Sequence, residues 1–176
     1  MSAPETVFQG RRFNVVRKRF RAADGTEHVN ESVQHPGAVT IIPMVDEQRV
    51  CLIRNRRPAV DQTLIELPAG TLEPGELPLD TARRELEEET GYRAESIELL
   101  CQFFTSPGIL NERMHLYLAT GLHAGSTNLD AGEQIENMIV DWMEALAMCH
   151  DGRIQDAKSL VGILFYESLR RKATSH

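Results

Sequence analysis

The sequence predicts one α/β domain in which helices cover a mixed β-sheet. Its 176 residues are enough for one compact domain and too few for two ordinary ones. Runs rich in β-branched and aromatic residues alternate with two or three segments of helical periodicity, with no internal repeat or long linker between them. Strands interleaved with helices are typical of an α/β or α+β sandwich.

The first elements are two strand-like runs that form a hairpin. They cover residues 13–22 and 27–34, on either side of Asp24-Gly25. Asp-Gly between two β-rich runs is a strong hairpin signal, because glycine accepts the positive φ angle that a tight turn requires. Residues 1–36 are therefore expected to form an N-terminal β-hairpin extension, followed by a main domain over residues 37–176.

The main domain is expected to contain a sheet flanked by helices. Residues 68–78 form a loop, because proline and glycine punctuate them, and this loop leads directly into a helix. In that helix Leu79, Ala82 and Leu86 form an apolar stripe, and Gly91 stands where a C-terminal cap belongs. The other strand-like runs are residues 38–45, 49–54, 64–67, 97–104, 114–119 and 138–142, and further helical segments cover residues 144–148 and 156–170.

Composition and charge argue against several classes of partner. The formal net charge of −7 provides no basic patch for DNA or RNA, so no nucleic-acid partner is expected. The longest apolar stretches, residues 38–45 and 160–165, are far shorter than the roughly 20 residues that cross a bilayer. Residues 1–10 lack an apolar signal segment, and the three cysteines are widely spaced. We therefore expect no membrane association and a cytoplasmic location.

The most informative segment is a glutamate-rich helix behind the glycine-containing loop. Glu85, Glu88 and Glu89 stand at positions i, i+3 and i+4, so their carboxylates share one side of the helix, while Glu87 points elsewhere. We refer to the first three as the glutamate face. Like charges this close destabilise an isolated helix by about 0.2–0.5 kcal/mol per pair, whereas Mg²⁺, Mn²⁺ or Ca²⁺ would bind them as oxygen ligands. The alternative is a solvated acidic surface with neighbouring arginines as partners.

Residues 70–92 match a long and specific motif, the Nudix box. Its pattern is glycine, five residues, glutamate, seven residues, arginine-glutamate, an apolar residue, any residue, two glutamates, any residue, glycine and an apolar residue. The matching positions are Gly70, Glu76, Arg84, Glu85, Leu86, Glu88, Glu89, Gly91 and Tyr92. Tyr92 is the one soft match, since an aliphatic residue is more usual there. The chain thus resembles the Nudix hydrolases over roughly residues 38–142.

This resemblance implies a Nudix-type α/β/α sandwich with a mixed β-sheet, preceded by the N-terminal β-hairpin extension. It marks the glutamate face and the backbone carbonyl of Ala69 as metal ligands. Arg84 would orient the glutamates, and Glu76 would support the loop or have a purely structural role. Two to three Mg²⁺ ions, with Mn²⁺ as a substitute, would clamp a diphosphate and acidify a water molecule.

Within the family, the chain is most similar to the ADP-ribose pyrophosphatases. The similarity lies in residues 66–70, in residues 54–60 and in Ser106-Pro107-Gly108. It implies that two arginines bind diphosphate oxygens through charge-assisted hydrogen bonds, although ordinary surface pairing is the alternative for each. The expected substrate-binding residues are Arg54, Arg57, Glu66, Pro107 and Glu112.

Relatives of this kind also carry a glutamate on a loop before a late strand. It positions or deprotonates the attacking water. Here the acidic run at residues 130–136 offers Glu136 and Glu133, and the spacing to Trp142 favours Glu136. Gln134 and Asn137 interrupt the denser acidic run of many relatives, and a solvated acidic loop is the alternative.

The N-terminal hairpin resembles a segment that, in this subfamily, exchanges between two subunits and stacks on the adenine. Phe8 and Phe13 are the aromatic candidates for that contact. A homodimer is therefore implied by the resemblance and not by composition.

The reaction that the resemblance implies is hydrolysis of ADP-ribose to AMP and ribose 5-phosphate. Other nucleoside diphosphate sugars, such as GDP-mannose, UDP-glucose or ADP-glucose, are alternative substrates, because the sequence does not identify the residues that recognise the base. A module that senses ADP-ribose without cutting it is a different class of protein. Such modules commonly lose glutamates of the Nudix box, whereas all are present here. The expected partner is a small nucleoside diphosphate.

Overall fold

The computed structural model describes residues 3–126 and 134–174, which hold ten strands and three helices. The strands are β1 (Glu5–Gln9), β2 (Asn14–Arg21), β3 (Glu27–Gln34), β4 (Ala38–Pro43), β5 (Arg49–Arg57), β6 (Gln62–Glu66), β7 (Ala69–Thr71), β8 (Tyr92–Phe104), β9 (Arg113–Ala124) and β10 (Ile135–Asp141). The helices are α1 (Pro78–Thr90), α2 (Trp142–Asp151) and α3 (Ala157–Thr174). Within these ranges, no helix is both long and apolar enough to cross a membrane.

The strands form three sheets. β1, β2 and β3 make an antiparallel N-terminal sheet, and β10, β5 and β6 make a second antiparallel sheet. The third sheet has the order β7-β4-β9-β8, in which β4 and β9 run parallel and the two outer pairs are antiparallel. The prediction of a mixed sheet is therefore confirmed.

Helices cover both sides of β4, the most deeply buried strand of the third sheet. Val39 and Ile41 pack with Leu86 of α1, whereas Ile42 points to the other side and packs with Ile163 of α3. Because successive side chains alternate across a strand, β4 presents one buried surface to each helix layer. The result is the α/β/α sandwich that the sequence predicts.

The helix that carries the glutamates begins and ends where the sequence indicates. Pro78 occupies its first position, where the missing N–H costs no hydrogen bond. At its end Gly91 adopts φ 71°, in the left-handed region, and donates its N–H to the carbonyl of Glu87 at 2.8 Å. α1 is thus fixed at both ends, and its position relative to the preceding loop is well determined.

Two strands are absent from the sequence prediction. β1 is exposed along all five of its residues, so no alternation of apolar and polar side chains reveals it. β7 spans only three residues inside a stretch of glycine and proline, and it forms by pairing with β4. The Asp24-Gly25 turn is confirmed, with Gly25 at φ 86°, but the N-terminal extension is a three-stranded sheet and not a simple hairpin.

The N-terminal sheet is tied to the main domain through the loop before β9. The N–H of Val33 donates to the carbonyl of Ile109 at 2.8 Å, and the N–H of Asn111 donates to the carbonyl of Val33 at 3.2 Å. These bonds bring the end of β3 beside the residues that open β4. The N-terminal sheet consequently reaches the same edge of the molecule as the loop that precedes α1.

Candidate active site

A cleft of about 810 Å³ lies between the N-terminal sheet and the second half of α1. The main domain contributes Arg57, residues 69–74, Arg84 and the whole glutamate face to its wall. The N-terminal region contributes residues 10–14 and residues 34–36, and Asn111 completes the wall. Acidic and basic side chains therefore meet in one concave space large enough for a nucleotide-sized ligand.

The glutamate face points into this cleft, as the helical spacing predicts. Glu89 is buried at 3% exposure, and the Glu85 and Glu88 side chains are 13% and 29% exposed. Glu87 lies on another side of α1, where it accepts a 2.8 Å hydrogen bond from Arg93. Three carboxylates are thus held together in a largely desolvated place, where their mutual repulsion is stronger than in water.

Arg84 connects this carboxylate cluster to the loop. Its Nη1 atom donates to Glu85 at 2.7 Å and to Glu88 at 2.9 Å. Its Nε and Nη2 atoms donate to the two oxygens of Glu76 at 3.0 and 3.1 Å. The Arg84 bonds lower the pKa of Glu76 to about 2. The orienting role predicted for Arg84 therefore has a geometric basis, and Glu76 supports the arginine as well as the loop.

Glu89 and Gly70 join the loop to the helix at close range. The N–H of Ala69 donates to Glu89 Oε2 at 2.9 Å. A Cβ atom placed on Gly70 would lie 1.8 Å from the carboxyl carbon of Glu85. Only glycine therefore leaves room for the Glu85 carboxylate beside the loop.

The residues present fit a divalent cation. Glu85, Glu88 and Glu89 offer hard carboxylate oxygens, and the space that Gly70 leaves open holds one of those carboxylates beside the Ala69 backbone. Within the part of the chain that the structure describes, no three such side chains already converge as a ready-made ligand set, since Arg84 and the Ala69 N–H hold the carboxylates.

Arg57 lies in the cleft wall, whereas Glu66 lies behind it. Glu66 is 1% exposed and accepts from Arg57 Nε at 2.8 Å and from Arg57 Nη2 at 2.6 Å. Arg57 is 37% exposed. Arg57 is therefore the residue of this pair that is exposed to the cleft. Glu66 is buried behind Arg57 and does not line the cleft itself.

Arg54 and Glu136 face away from the glutamate face. They are paired across β5 and β10. The neighbouring Asn137 donates its Nδ2 to the carbonyl of Thr90, at the end of α1, at 2.8 Å. Since side chains alternate along a strand, Glu136 and Arg54 point to the opposite side of the sheet from Asn137 and Arg57. The structure does not bring either residue into the cleft wall, and Glu133 lies outside the described residues.

Glu112 and Pro107 are not in the cleft wall. Glu112 accepts from Thr105 Oγ1 at 2.7 Å and lies 3.3 Å from Nδ1 of His35. Pro107 is exposed in the loop that ties β3 to the main domain. Asn111, next to Glu112, is in the wall and accepts the N–H of His35 at 2.7 Å.

The cleft wall contains Phe13, which the sequence names as an aromatic candidate, and His35, Arg11 and Arg12, which the sequence does not predict. Isolated histidines on strand-like segments are ordinarily structural or surface residues, and His35 has no partner nearby in the sequence. Arg11 and Arg12 precede Phe13 in the turn between β1 and β2, and the sequence does not predict this turn because it does not predict β1. One feature of the sequence points to His35: it lies between the end of β3 and the start of the buried strand β4, where a side chain can reach a cleft.

Comparison with known proteins identifies related chains over nearly the whole length. A family model described as NUDIX domain matches residues 34–161. The chain is 36% identical to a methanol dehydrogenase activator from Bacillus methanolicus, over 96% of this chain and 94% of that protein. It is 35% identical to an ADP-ribose pyrophosphatase from Bacillus subtilis (strain 168), over 94% of this chain and 90% of that protein.

A solved structure shares the fold. The crystal structure of an ADP compounds hydrolase superposes with a TM-score of 0.85, over 97% of this chain and 93% of that chain. The two sequences are 23% identical, so this likeness supports the architecture alone.

Proposed function

This chain belongs to the Nudix family, and we propose that it hydrolyses the pyrophosphate bond of a nucleoside diphosphate linked to another group, with ADP-ribose as its preferred substrate. The observation that carries the proposal is the glutamate face, which lines one cleft together with Arg57 and Arg84. A negatively charged diphosphate can approach clustered carboxylates only if positive charge lies between or beside them. The arginines of the cleft supply part of that charge, and the carboxylates can bind divalent cations that supply the rest. The similarity to a protein named ADP-ribose pyrophosphatase favours that substrate.

The reaction consumes one water molecule. In ADP-ribose hydrolysis, the water oxygen forms a bond to one phosphorus and the bridging P–O bond breaks, giving AMP and ribose 5-phosphate. Divalent cations held by the glutamate face would neutralise the diphosphate and make the water more acidic. Arg57 would donate hydrogen bonds to a diphosphate oxygen, and Arg84 would keep the carboxylates oriented.

The residue that positions the water is proposed to lie on the loop before β10 or at the start of that strand. Glu133 and Glu136 are the two candidates from the sequence. Glu136 shares a side of the sheet with Arg54, away from the end of α1, and would have to move to reach the cleft. For Arg54, Pro107 and Glu112 a contact with substrate stays part of the proposal, and Glu112 lies beside the wall residue His35.

Three further properties belong to the proposal. The cations are proposed to be two or three Mg²⁺ ions, which Mn²⁺ could replace, because both accept carboxylate ligands. The active form is proposed to be a homodimer built through residues 1–36, whose sheet exposes Phe8, Phe13 and Val29. A cytoplasmic location is proposed, since the three cysteines form no disulfide in the structure.

The substrate is tested with a panel of nucleotides. Purified protein is incubated with ADP-ribose, ADP-glucose, GDP-mannose, UDP-glucose and dinucleoside polyphosphates, with Mg²⁺ or with EDTA, and the products are separated by chromatography. We expect fastest conversion of ADP-ribose to AMP, abolished by EDTA. Faster cleavage of another compound would overturn the substrate and leave the reaction class intact. Binding of ADP-ribose without cleavage of any compound would favour a sensor.

A further inference from the structure

A buried ion-pair network lies behind the cleft wall. Glu66 Oε2 accepts from Arg57 Nη2 at 2.6 Å and from Lys158 Nζ at 2.5 Å. Lys158 Nζ also donates to Asp156 Oδ2 at 2.7 Å. The side chains of Lys158 and Asp156 are 13% and 14% exposed. Two carboxylates and two cations thus form a compact, nearly neutral group, of which the reaction described above uses only Arg57.

The first turn of α3 forms hydrogen bonds to Glu66 and Leu67, which precede the loop before α1. Asp156 precedes the helix, and its Oδ2 accepts the N–H of Ser159 at 3.1 Å, as a capping residue does. Ser159 is fully buried and its Oγ accepts the N–H of Leu67 at 2.7 Å. Lys158 and Ser159 therefore contact Glu66 and Leu67 side by side. These two residues lie immediately before the Pro68-Ala69-Gly70 turn.

Glu66 stays ionised in this environment although burial opposes it. Burial alone would raise the pKa of the carboxyl, and it is the largest single influence. Bonds and charges from Arg57 and Lys158 together outweigh it, so the pKa of Glu66 is lowered. A buried carboxylate that lost one cation would be poorly compensated and would reorient toward the other.

Arg57 is held by one edge only. Its Nε and Nη2 atoms both donate to Glu66, and among the described residues no hydrogen bond from its Nη1 atom is present. The guanidinium lies in the cleft wall, with its remaining edge turned away from the Glu66 contact. The direction of that open edge is therefore set by the orientation of the Glu66 carboxylate.

We propose that Lys158 is a positioning residue for the substrate-binding Arg57. It shares Glu66 with the arginine and fixes the plane of that carboxylate, so that the open edge of the guanidinium faces the diphosphate. This role rests on the proposed function, because it assumes that Arg57 binds a diphosphate oxygen. It makes the start of α3, far away in the sequence, a part of the substrate site.

The kinetic test compares Lys158→Met with Lys158→Arg and with Lys172→Met, an exposed lysine near the end of the same helix. We expect Lys158→Met to raise KM for ADP-ribose about tenfold with kcat changed less than about threefold, because binding and not chemistry is altered. Lys158→Arg should restore most of the affinity, and Lys172→Met should leave KM unchanged. A lower melting temperature with unchanged KM would mean a merely structural role and would overturn the proposal.

A double-mutant cycle tests whether Lys158 acts through Arg57. In an Arg57→Met background, Lys158→Met should raise KM no further, since the residue it positions is gone. Additive increases in KM would overturn the proposal, because they would mean that Lys158 acts independently of Arg57. If Lys158→Met does not fold, Asp156→Asn takes its place in the cycle, since it loosens Lys158 and keeps an oxygen acceptor at the helix cap.

An activity-independent measurement separates this proposal from the proposed function. In NMR spectra, the Arg57 Nε–H resonance, assigned by its loss in Arg57→Met, should shift and exchange faster with solvent in Lys158→Met and not in Lys172→Met. An unchanged resonance would contradict the positioning role. If the wild type cut no nucleotide, the proposed function would fail while this spectrum still decided whether Lys158 orients Arg57.

Discussion

Glu76 accepts two hydrogen bonds from Arg84, and these bonds are the largest influence on its pKa. Together with contacts from Thr81 and the Glu73 backbone, Arg84 lowers the pKa of Glu76 from its ordinary value of 4.5 to about 2. A carboxyl group whose pKa is lowered by folding adds stability above its ordinary pKa. That contribution is lost as the pH falls from about 4.5 towards 2.

Replacing Glu76 by glutamine should therefore have a pH-dependent effect. We expect Glu76→Gln to lower the free energy of unfolding by roughly 1 kcal/mol at neutral pH, because a charge-assisted contact with Arg84 is lost. The difference from wild type should be constant between about pH 6 and 8 and should shrink by pH 3. Urea denaturation at several pH values measures it. An equal difference at pH 7 and pH 3 would contradict the assignment.

Glu133 and Glu136 should respond differently to substitution. Glu136 lies on the side of the sheet away from α1, so Glu136→Gln should keep kcat within about threefold of wild type. If Glu133 is the base, Glu133→Gln should reduce kcat by about 10²–10⁴-fold. Steady-state kinetics at saturating Mg²⁺ and substrate distinguish them. A large loss of kcat in Glu136→Gln would show that this strand end rearranges when substrate binds.

At the scale of the elements, the fit of β7 against α1 depends on Gly70. A Cβ there would collide with the carboxyl end of Glu85, a flexible group that can rotate away. We therefore expect Gly70→Ala to lower the melting temperature little but to reduce kcat/KM by about 100-fold, because the carboxylate leaves its place. Calorimetry and kinetics on the same sample give both values. Normal kcat/KM in this variant would mean that Glu85 needs no such clearance.

The extent to which the sequence predicts these elements depends on whether their signals are local. α1 and its glutamates are recoverable, because helical periodicity, the glycine cap and the Nudix motif all occur within residues 70–92. β7 is not recoverable, because three residues acquire strand structure only by pairing with β4. Local signals therefore predict the glutamate-containing part of the site and not the strand beside it.

Contacts across the fold are the part that the sequence does not disclose. Arg54 and Arg57 look like a pair in the sequence, but three residues along a strand reverse the side to which a chain points. Lys158 lies on α3 and Glu66 on β6, 92 positions apart in the sequence, and nothing in the sequence near either residue indicates that they are in contact. The sequence therefore predicts the glutamates of the cleft wall and only some of its basic residues.

At the scale of the whole molecule, the N-terminal sheet is the expected site of self-association. Phe8 and Val29 are each 54% exposed on the same side of this small sheet, and burying them against a second copy would be favourable. We expect the wild type to be a dimer in light scattering after size exclusion, and the Phe8→Asp, Val29→Asp double variant to be a monomer. Met143→Asp, at an exposed position on α2, is the control that should remain dimeric. A monomeric wild type would contradict this assembly.

If the glutamate face makes this chain a cation-dependent pyrophosphate hydrolase, Glu89→Gln should remove most of its activity. Glu87→Gln is the matched control, because Glu87 is on the same helix and pairs with Arg93 on another side. With ADP-ribose and Mg²⁺, we expect wild type and Glu87→Gln to release AMP at similar rates and Glu89→Gln to be slower by about 10²–10³-fold, with unchanged circular dichroism. Comparable turnover in Glu89→Gln and Glu87→Gln would contradict the account.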